Sequence, residues 1–203
     1  FSTIPEVPIE AGVHMSDFVS DQAKAFLDRD DGRPWFLYLP YFSVHGPREA
    51  KPESLRAAKA RGLKGRDAVY AAMCADLDAA VGAVLTHLEA RGLADDTIVI
   101  FTSDHGYHLG EHDFWAKVSL RDESAGVPLI ISVPGKKPAV CDSFVELLDL
   151  YPTVSKLCGL EVPERLQGKD ISPLLDDPKL KVRDLYYDQA VPHIRLQEKR
   201  STL

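Results

Sequence analysis

The stretch SDHGYHLGEHDFWAKVSLRDE, residues 103–123, gathers three histidines, several carboxylates and a lysine. Imidazole nitrogens and carboxylate oxygens bind metals, and both kinds of group also move protons. Asp104 and His105 stand directly after the apolar run TIVIFTS, residues 97–103. A carboxylate and an imidazole fixed at a strand end make half of a metal site, and Gly106 lets the backbone turn away with no Cβ penalty. The alternative is a capping aspartate beside a half-buried histidine. His105, His108 and His112 are spaced by three and four, as a zinc site on one helical face would need, but Gly106 and Gly110 cost such a helix stability. Lys117, in FWAKVS, can hold an anionic group as a point charge or pack its stem on Trp115. His45, in SVHGP, is a candidate donor to the same anion, or an ordinary loop histidine.

Periodic patterns show what must position these residues. PWFLYLPY (34–41) is a nearly continuous apolar run, suited to a strand buried on both faces. A loop, FSVHGPREAKPES, follows it. From Arg66 to Arg91 the residues Val69, Met73, Leu77, Val81, Val84, Leu85 and Leu88 keep a period near 3.6, and Gly92 supplies a stop. Residues 97–103 predict a second strand and VPLIISVP (127–134) a third. Ser16 caps a first helix over 17–29, and 143–158 reads as a helix that Pro152 bends or restarts. Strand, long helix, strand predicts a βαβ unit with parallel strands and a right-handed crossover. Ligands of open α/β sheets sit beyond the carboxyl ends of the strands. The loop carrying His45 and the loop from Asp104 to Lys117 are therefore expected on one sheet edge.

The bulk numbers narrow the function classes. A chain of 203 residues with 45% hydrophobic and 27% charged residues can build one sizeable core. Its net charge of −7 argues against broad nucleic-acid or anionic-membrane binding, which both want a basic face. No apolar run reaches the about 18 residues of a membrane span. Cys74 and Cys158 sit in apolar helical contexts and read as buried free thiols; Cys141 has no histidine nearby to activate it. Asp76 and Asp78 read as a solvated helix face. Neither a phosphate-binding glycine loop nor a GxSxG elbow is present.

Four stretches together carry a family pattern: PWFLYLPYFSVHGPREAKPE, YAAMCADLDAAVGAVLTHLEARGLADDTIVIFTSDHG, LGEHDFWAKVSLRDESAGVPLIISVPG, and ELLDLYPTVSKLCGLEVP followed by LQGKDISPLL. In this order and spacing the chain resembles the carboxyl-side part of the catalytic domain of sulfatases, in the alkaline phosphatase superfamily. The SDHGxxLGEHxxWAK form looks closest to iduronate-2-sulfatase-like and choline-sulfatase-like members, while phosphonate monoester hydrolases share a similar DHGxxLGxH stretch. The resemblance implies an α/β fold, a mostly parallel sheet flanked by helices, alkaline-phosphatase-like and partial here. Residues 1–175 would be the carboxyl-side part of that domain, and 176–203 a tail or the start of a truncated carboxyl-terminal subdomain. Asp104 and His105 would match ligands of the active-site divalent cation, usually calcium. Lys117 and His45 would match the residues holding the sulfate group and its leaving oxygen, and His112 would be a substrate-pocket residue. The resemblance gives His108 no comparable role. Calcium favours all-oxygen shells, so the ligand types alone point instead to zinc or manganese.

Sulfatases also carry a C/S-x-P-x-R motif whose cysteine or serine becomes formylglycine. None of the three cysteines here has that context, SVPGK (132–136) ends in lysine, and an early strand ending in paired aspartates is missing. The expectation is a fragment without the amino-terminal half, inactive alone, its formylglycine nucleophile supplied by an upstream segment. The substrate class expected is a sulfated small molecule or glycan, and the compartment periplasmic or secreted. Two other readings stand beside it: a phosphonate or phosphate ester hydrolase on the same scaffold, and a non-catalytic protein that binds anions or metal.

Overall fold

A computed structural model describes residues 12–29, 32–183, 190–191 and 193–196. They belong to two compact units, residues 1–94 and 95–203. The opening residues 1–11 and the DLYY run (184–187) lie outside the described residues.

The first unit is three helices: α1 (Met15–Leu27), α2 (Pro52–Ala60) and α3 (Gly65–Ala90). Both shorter helices pack on α3. The buried face of α3 is Ala68, Ala72, Met73, Asp76, Ala80, Val84 and Leu88, a helical stripe dominated by small residues. Alanines let a neighbouring backbone come close. This is why larger members of the predicted stripe such as Leu85 are left 38% exposed. Gly92 ends the region with φ 71°, a left-handed conformation suited to glycine.

Asp76 corrects the expectation of a solvated face. It is 1% exposed, and its carboxylate accepts the Lys51 N–H at 2.8 Å and the Ser54 hydroxyl at 2.5 Å. It thus satisfies the start of α2, where Pro52 fills the first position and Lys51 provides no side-chain cap. Helix α3 is long and apolar enough to cross a membrane by length and composition. This buried, hydrogen-bonded carboxylate at its middle marks it as the core helix of the unit.

Ser16 is not the cap of α1. His14 holds that position without a side-chain bond, and Ser16 lies inside the helix, buried. Ser16, Ser20, Ala23 and Leu27, spaced by four, three and four, form the inward face.

The segment 34–41 forms no strand. From Phe36 to Tyr41 its exposure still alternates residue by residue, with Phe36 77% and Tyr38 74% exposed. Apolar content asks for burial, but a strand exists only where a second strand supplies the ladder. Among the described residues none pairs with it. The predicted βαβ unit is therefore absent among the described residues.

The second unit contains β1 (Val99–Thr102), β2 (Pro128–Ser132), β3 (Ala139–Cys141), β4 (Val145–Glu146), β5 (Ala190–Val191) and β6 (His193–Leu196), with α4 (Asp122–Ala125) and α5 (Leu150–Leu157). One sheet has the order β1-β2-β6-β3, and a smaller one pairs β4 with β5. The α/β character is as expected, but the described sheet is mixed. Strand β2 runs parallel to β6, whereas β1–β2 and β3–β6 are antiparallel, Val99 facing Ser132 and Thr102 facing Leu129. Parallel pairing needs a crossover that returns the chain to its starting edge. Between β1 and β2 there is only a folded loop and the single turn of α4, so β2 runs back the other way.

Leu129 and Ile131 alternate inward along β2 and pack with Val127, Cys141, Val145, Ile171, Leu174 and Leu175 as this unit's core. Burying a side chain of this size contributes about 2 kcal/mol. The predicted helix 143–158 starts later, because Val145 and Glu146 pair as a strand and residues 147–149 form one tighter turn. The Glu146 and Asp149 side chains make a reciprocal capping box there. Pro152 then falls in the first turn of α5, where its missing N–H costs nothing. Asp149, fully buried, also accepts the Lys169 N–H at 2.7 Å and the guanidinium of Arg183, which pairs with Glu146 as well.

The three thiols are unpaired; Cys141 is buried, while Cys74 and Cys158 are free as expected but exposed, where the sequence predicted burial. Cys74 sits off the alanine stripe of α3, and Cys158 caps the end of α5 instead of lying within it.

Candidate active-site loop

Residues 104–124 fold back on themselves after β1. The N–H groups of Gly106, His108 and Gly110 donate to the carbonyls of Ser124 (2.7 Å), Ala116 (2.9 Å) and Phe114 (3.2 Å). Donors two residues apart give an extended limb facing a return limb. Gly106 is required by space, since a Cβ there would lie 2.2 Å from the Glu123 carbonyl oxygen. At the tip, Gly110 (φ 123°), His112 (φ 57°) and Asp113 (φ 55°) take left-handed conformations. Two consecutive non-glycine residues with positive φ are uncommon, and such strain concentrates at functional sites.

Asp104 and His105 are brought together at the start of this loop. His105 Nε2 lies 3.4 Å from Asp104 Oδ2, whose side chain is 83% exposed. His105 Nδ1 is 2.8 Å from the Gly106 carbonyl oxygen. A carbonyl only accepts, so Nδ1 carries the proton and Nε2 presents a lone pair. This is how a metal-binding imidazole is oriented by its second nitrogen. One imidazole nitrogen and one carboxylate oxygen fit zinc or manganese by type and calcium in part. They amount to half a shell. Among the described residues, no group of three or more metal-binding side chains comes together.

The helical zinc alternative fails, because residues 104–110 are not helical. His108 is fully buried with its Nε2 on Ser119 Oγ at 2.8 Å. His112 sits at the tip, half exposed, with Nε2 3.0 Å from Arg121 Nη1 and 3.3 Å from Glu123 Oε1. The Glu123 carboxyl is held below the usual range by its own backbone N–H and then by the nearby His112 and His108 rings; Glu111 is held low by its own and the Leu109 N–H groups.

Lys117 lies on the return limb, partly buried. Its carbonyl accepts the Ser124 hydroxyl at 2.6 Å and the Ser119 N–H at 3.0 Å. The two preceding carbonyls are also engaged, Trp115 by the Tyr107 hydroxyl and Ala116 by the His108 N–H. Three successive bonded carbonyls fix the backbone from which the lysine projects.

His45 belongs to the other unit. Its Nδ1 bonds the Gly46 carbonyl at 2.8 Å, which leaves Nε2 as the outward nitrogen, and its ring lies 5.0 Å from that of Phe42. The approach to His45 is held by α1. Ser16 Oγ meets Ser43 Oγ at 3.1 Å, and Ser20 Oγ meets the Tyr41 hydroxyl at 2.9 Å while reaching the Ala80 carbonyl of α3 at 3.0 Å. Four helical residues rise about 6 Å and two extended residues about 6.6 Å, so the serine pair and positions 41 and 43 are in register. Sequence reading missed Ser16, Ser20, Tyr41, Ser119 and Arg121. The available signal was a pair of serines four apart on the apolar face of α1.

A Sulfatase family model matches residues 3–160. A multifunctional alkaline phosphatase superfamily protein, PehA of Trinickia caryophylli, is 26% identical over 90% of this chain and 48% of its own length. Arylsulfatase K of Bos taurus is 40% identical over 55% of this chain and 21% of its own. Among solved structures, BT33494S-sulf, described with the metabolism of multiple glycosaminoglycans by Bacteroides thetaiotaomicron, aligns with TM-score 0.75 and 28% identity over 83% of this chain and 40% of that one. The chain thus spans half or less of the length of these proteins, and its α/β fold is that of alkaline-phosphatase-like enzymes. With one family model running from before α1 to beyond α5, through both His45 and Lys117, this chain belongs to the sulfatase family.

Proposed function

We propose that these residues form part of the active site of a sulfuric ester hydrolase acting on a sulfated small molecule or glycan. The observation that carries the reading is the Asp104–His105 pair, 3.4 Å apart, at the base of the loop whose return limb holds Lys117. Asp104 and His105 would hold a divalent cation, calcium by family resemblance and zinc or manganese by ligand type; when bound, it offsets charge on the sulfate oxygens. The covalent nucleophile expected is a formylglycine from outside these residues, since no C/S-x-P-x-R segment occurs among them.

Each remaining role belongs to this chain. The Lys117 ammonium faces the anion as a point charge, and its value rises as water is excluded. His45 keeps Nδ1–H on the Gly46 carbonyl, so a second proton on Nε2 can pass to the departing alcohol oxygen without the ring turning. His112 borders the substrate, its ring set by Arg121 and Glu123. The glycosaminoglycan context of BT33494S-sulf supports a sulfated glycan, and family resemblance favours a periplasmic or secreted setting.

The likeness to PehA, named multifunctional, favours a second reading on the same scaffold: phosphonate or phosphate ester hydrolysis. Turnover of an aryl sulfate and an aryl phosphonate by the complete natural polypeptide separates the two. Faster sulfate turnover is expected, and faster phosphonate turnover would transfer the assignment. Turnover of neither, with inorganic sulfate still bound, would leave a non-catalytic anion- or metal-binding protein. The 203-residue chain alone is expected to be inactive.

A further inference from the structure

His108 is the polar side chain that neither the metal pair nor the anion contacts absorb. It is 0% exposed, and its Nδ1 has no hydrogen-bond partner. Placing an imidazole in such a position has a cost that a leucine would not incur. What the imidazole gains is one bond across the loop, Nε2 to Ser119 Oγ at 2.8 Å. Ser119 Oγ in turn accepts the Arg121 N–H at 3.2 Å. The ring is enclosed by Phe114, with centroids 5.0 Å apart and planes at 73°, and by His112 at 6.1 Å.

The placement of these bonds is specific. The backbone N–H of His108 donates to Ala116, the residue before Lys117, and its side chain bonds Ser119, two residues after Lys117. One buried residue on the outgoing limb thereby brackets the lysine on the return limb from both sides. Leu120 and Val118, alternating with Ser119, are 82% and 87% exposed, so apolar packing holds little of this limb. Its position is set by hydrogen bonds.

We propose that His108 is a positioning residue: its bond to Ser119 fixes the limb that carries Lys117 and thereby sets the lysine's reach to the anion. The inference rests on the reading of Lys117 as the anion-holding cation. His108 itself touches neither anion nor metal. A glutamine can place its terminal amide where Nε2 lies and still bond Ser119. A leucine fills the space without the bond, and an asparagine is too short to cross the loop.

The test is amide hydrogen exchange on the complete natural polypeptide and its H108L, H108Q, H108N and S119A variants, joined to a titration with inorganic sulfate. In H108L, H108N and S119A the amides of Ser119 and Arg121 should exchange about tenfold faster, the size of one lost hydrogen bond. Those of Ile130 and Ile131 in β2 should be unchanged. H108Q should restore protection. Sulfate affinity at Lys117, identified by its loss in K117A, should fall in the same variants and return in H108Q. Unchanged exchange at 119 and 121 in H108L, an equal acceleration in β2, or no recovery in H108Q would each overturn the positioning role. Normal exchange effects with no sulfate binding by the unaltered chain would instead overturn the anion role of Lys117, so the two failures are separable.

Discussion

The Tyr41 hydroxyl stands 2.9 Å from Ser20 Oγ, which lies one turn along α1 from a second serine bonded to Ser43. Ser20 also bonds carbonyls of Ser16 and Ala80, and a hydroxyl has one proton to give, so the phenol donates to Ser20. A family of local contacts on α1 thus reaches the segment that delivers His45. Nothing in this arrangement requires His45 to be buried, and it is not.

Replacing Tyr41 with phenylalanine should destabilise the chain by about 1 kcal/mol, the net worth of one hydrogen bond. Burial raises the Tyr41 hydroxyl above its ordinary value, with the Ser20 bond and Lys24 acting the other way. The unfolded chain therefore loses this proton first as pH rises, so the contribution is intact below about pH 10 and is lost above it. Urea unfolding across the alkaline range should show that loss in the unaltered chain and a shallower one in Y41F. An unchanged alkaline slope would contradict burial as the cause of the raised hydroxyl.

Asp76 offers a second stability test. D76A removes the acceptor for the Lys51 N–H and the Ser54 hydroxyl in a buried place. A loss of about 3 kcal/mol is expected, as for bonds to a charged group. D78A on the exposed side of the same helix should cost under about 0.5 kcal/mol. Thermal unfolding of the two variants would compare them directly.

For the metal, D104N and H105A should each weaken cation binding by about a hundredfold or more, measured by calorimetry with calcium, manganese and zinc on the complete natural polypeptide. G106A should weaken it too, without removing a ligand. Its Cβ would meet the Glu123 and Gly126 carbonyl oxygens at 2.2 and 2.7 Å, and the backbone carrying the His105 anchor must move. Retained affinity in G106A would show that the anchor does not matter.

Lys117 should matter to turnover more than to stability. K117A is expected to lower kcat of the complete enzyme by about a hundredfold, in the range seen when one stabilising group is removed from a transferring anion. K117R keeps the charge but not the compact ammonium, and should recover part of the rate. Equal unfolding midpoints for the three proteins, measured alongside, would assign the loss to chemistry.

What the residues determine by themselves is local. The apolar run 97–103 ending in Asp-His-Gly yields β1 with the metal-type pair at its end, and the periodic stretch before Gly92 yields α3, because side-chain period and glycine sterics act over a few residues. The folded 104–124 loop is legible only as a concentration of chemistry. Its shape comes from bonds between residues four to eighteen apart, such as His108 to Ala116 and Gly106 to Ser124. Tertiary structure alone decided that β2 runs antiparallel to β1, that 34–41 has no ladder among the described residues, and that Asp76, His108 and the α1 serines face inward. An apolar or polar pattern states how much burial a segment wants. Which distant backbone or side chain provides it is a property of the assembled chain, and on that depend the placement of Lys117 and the setting of His45.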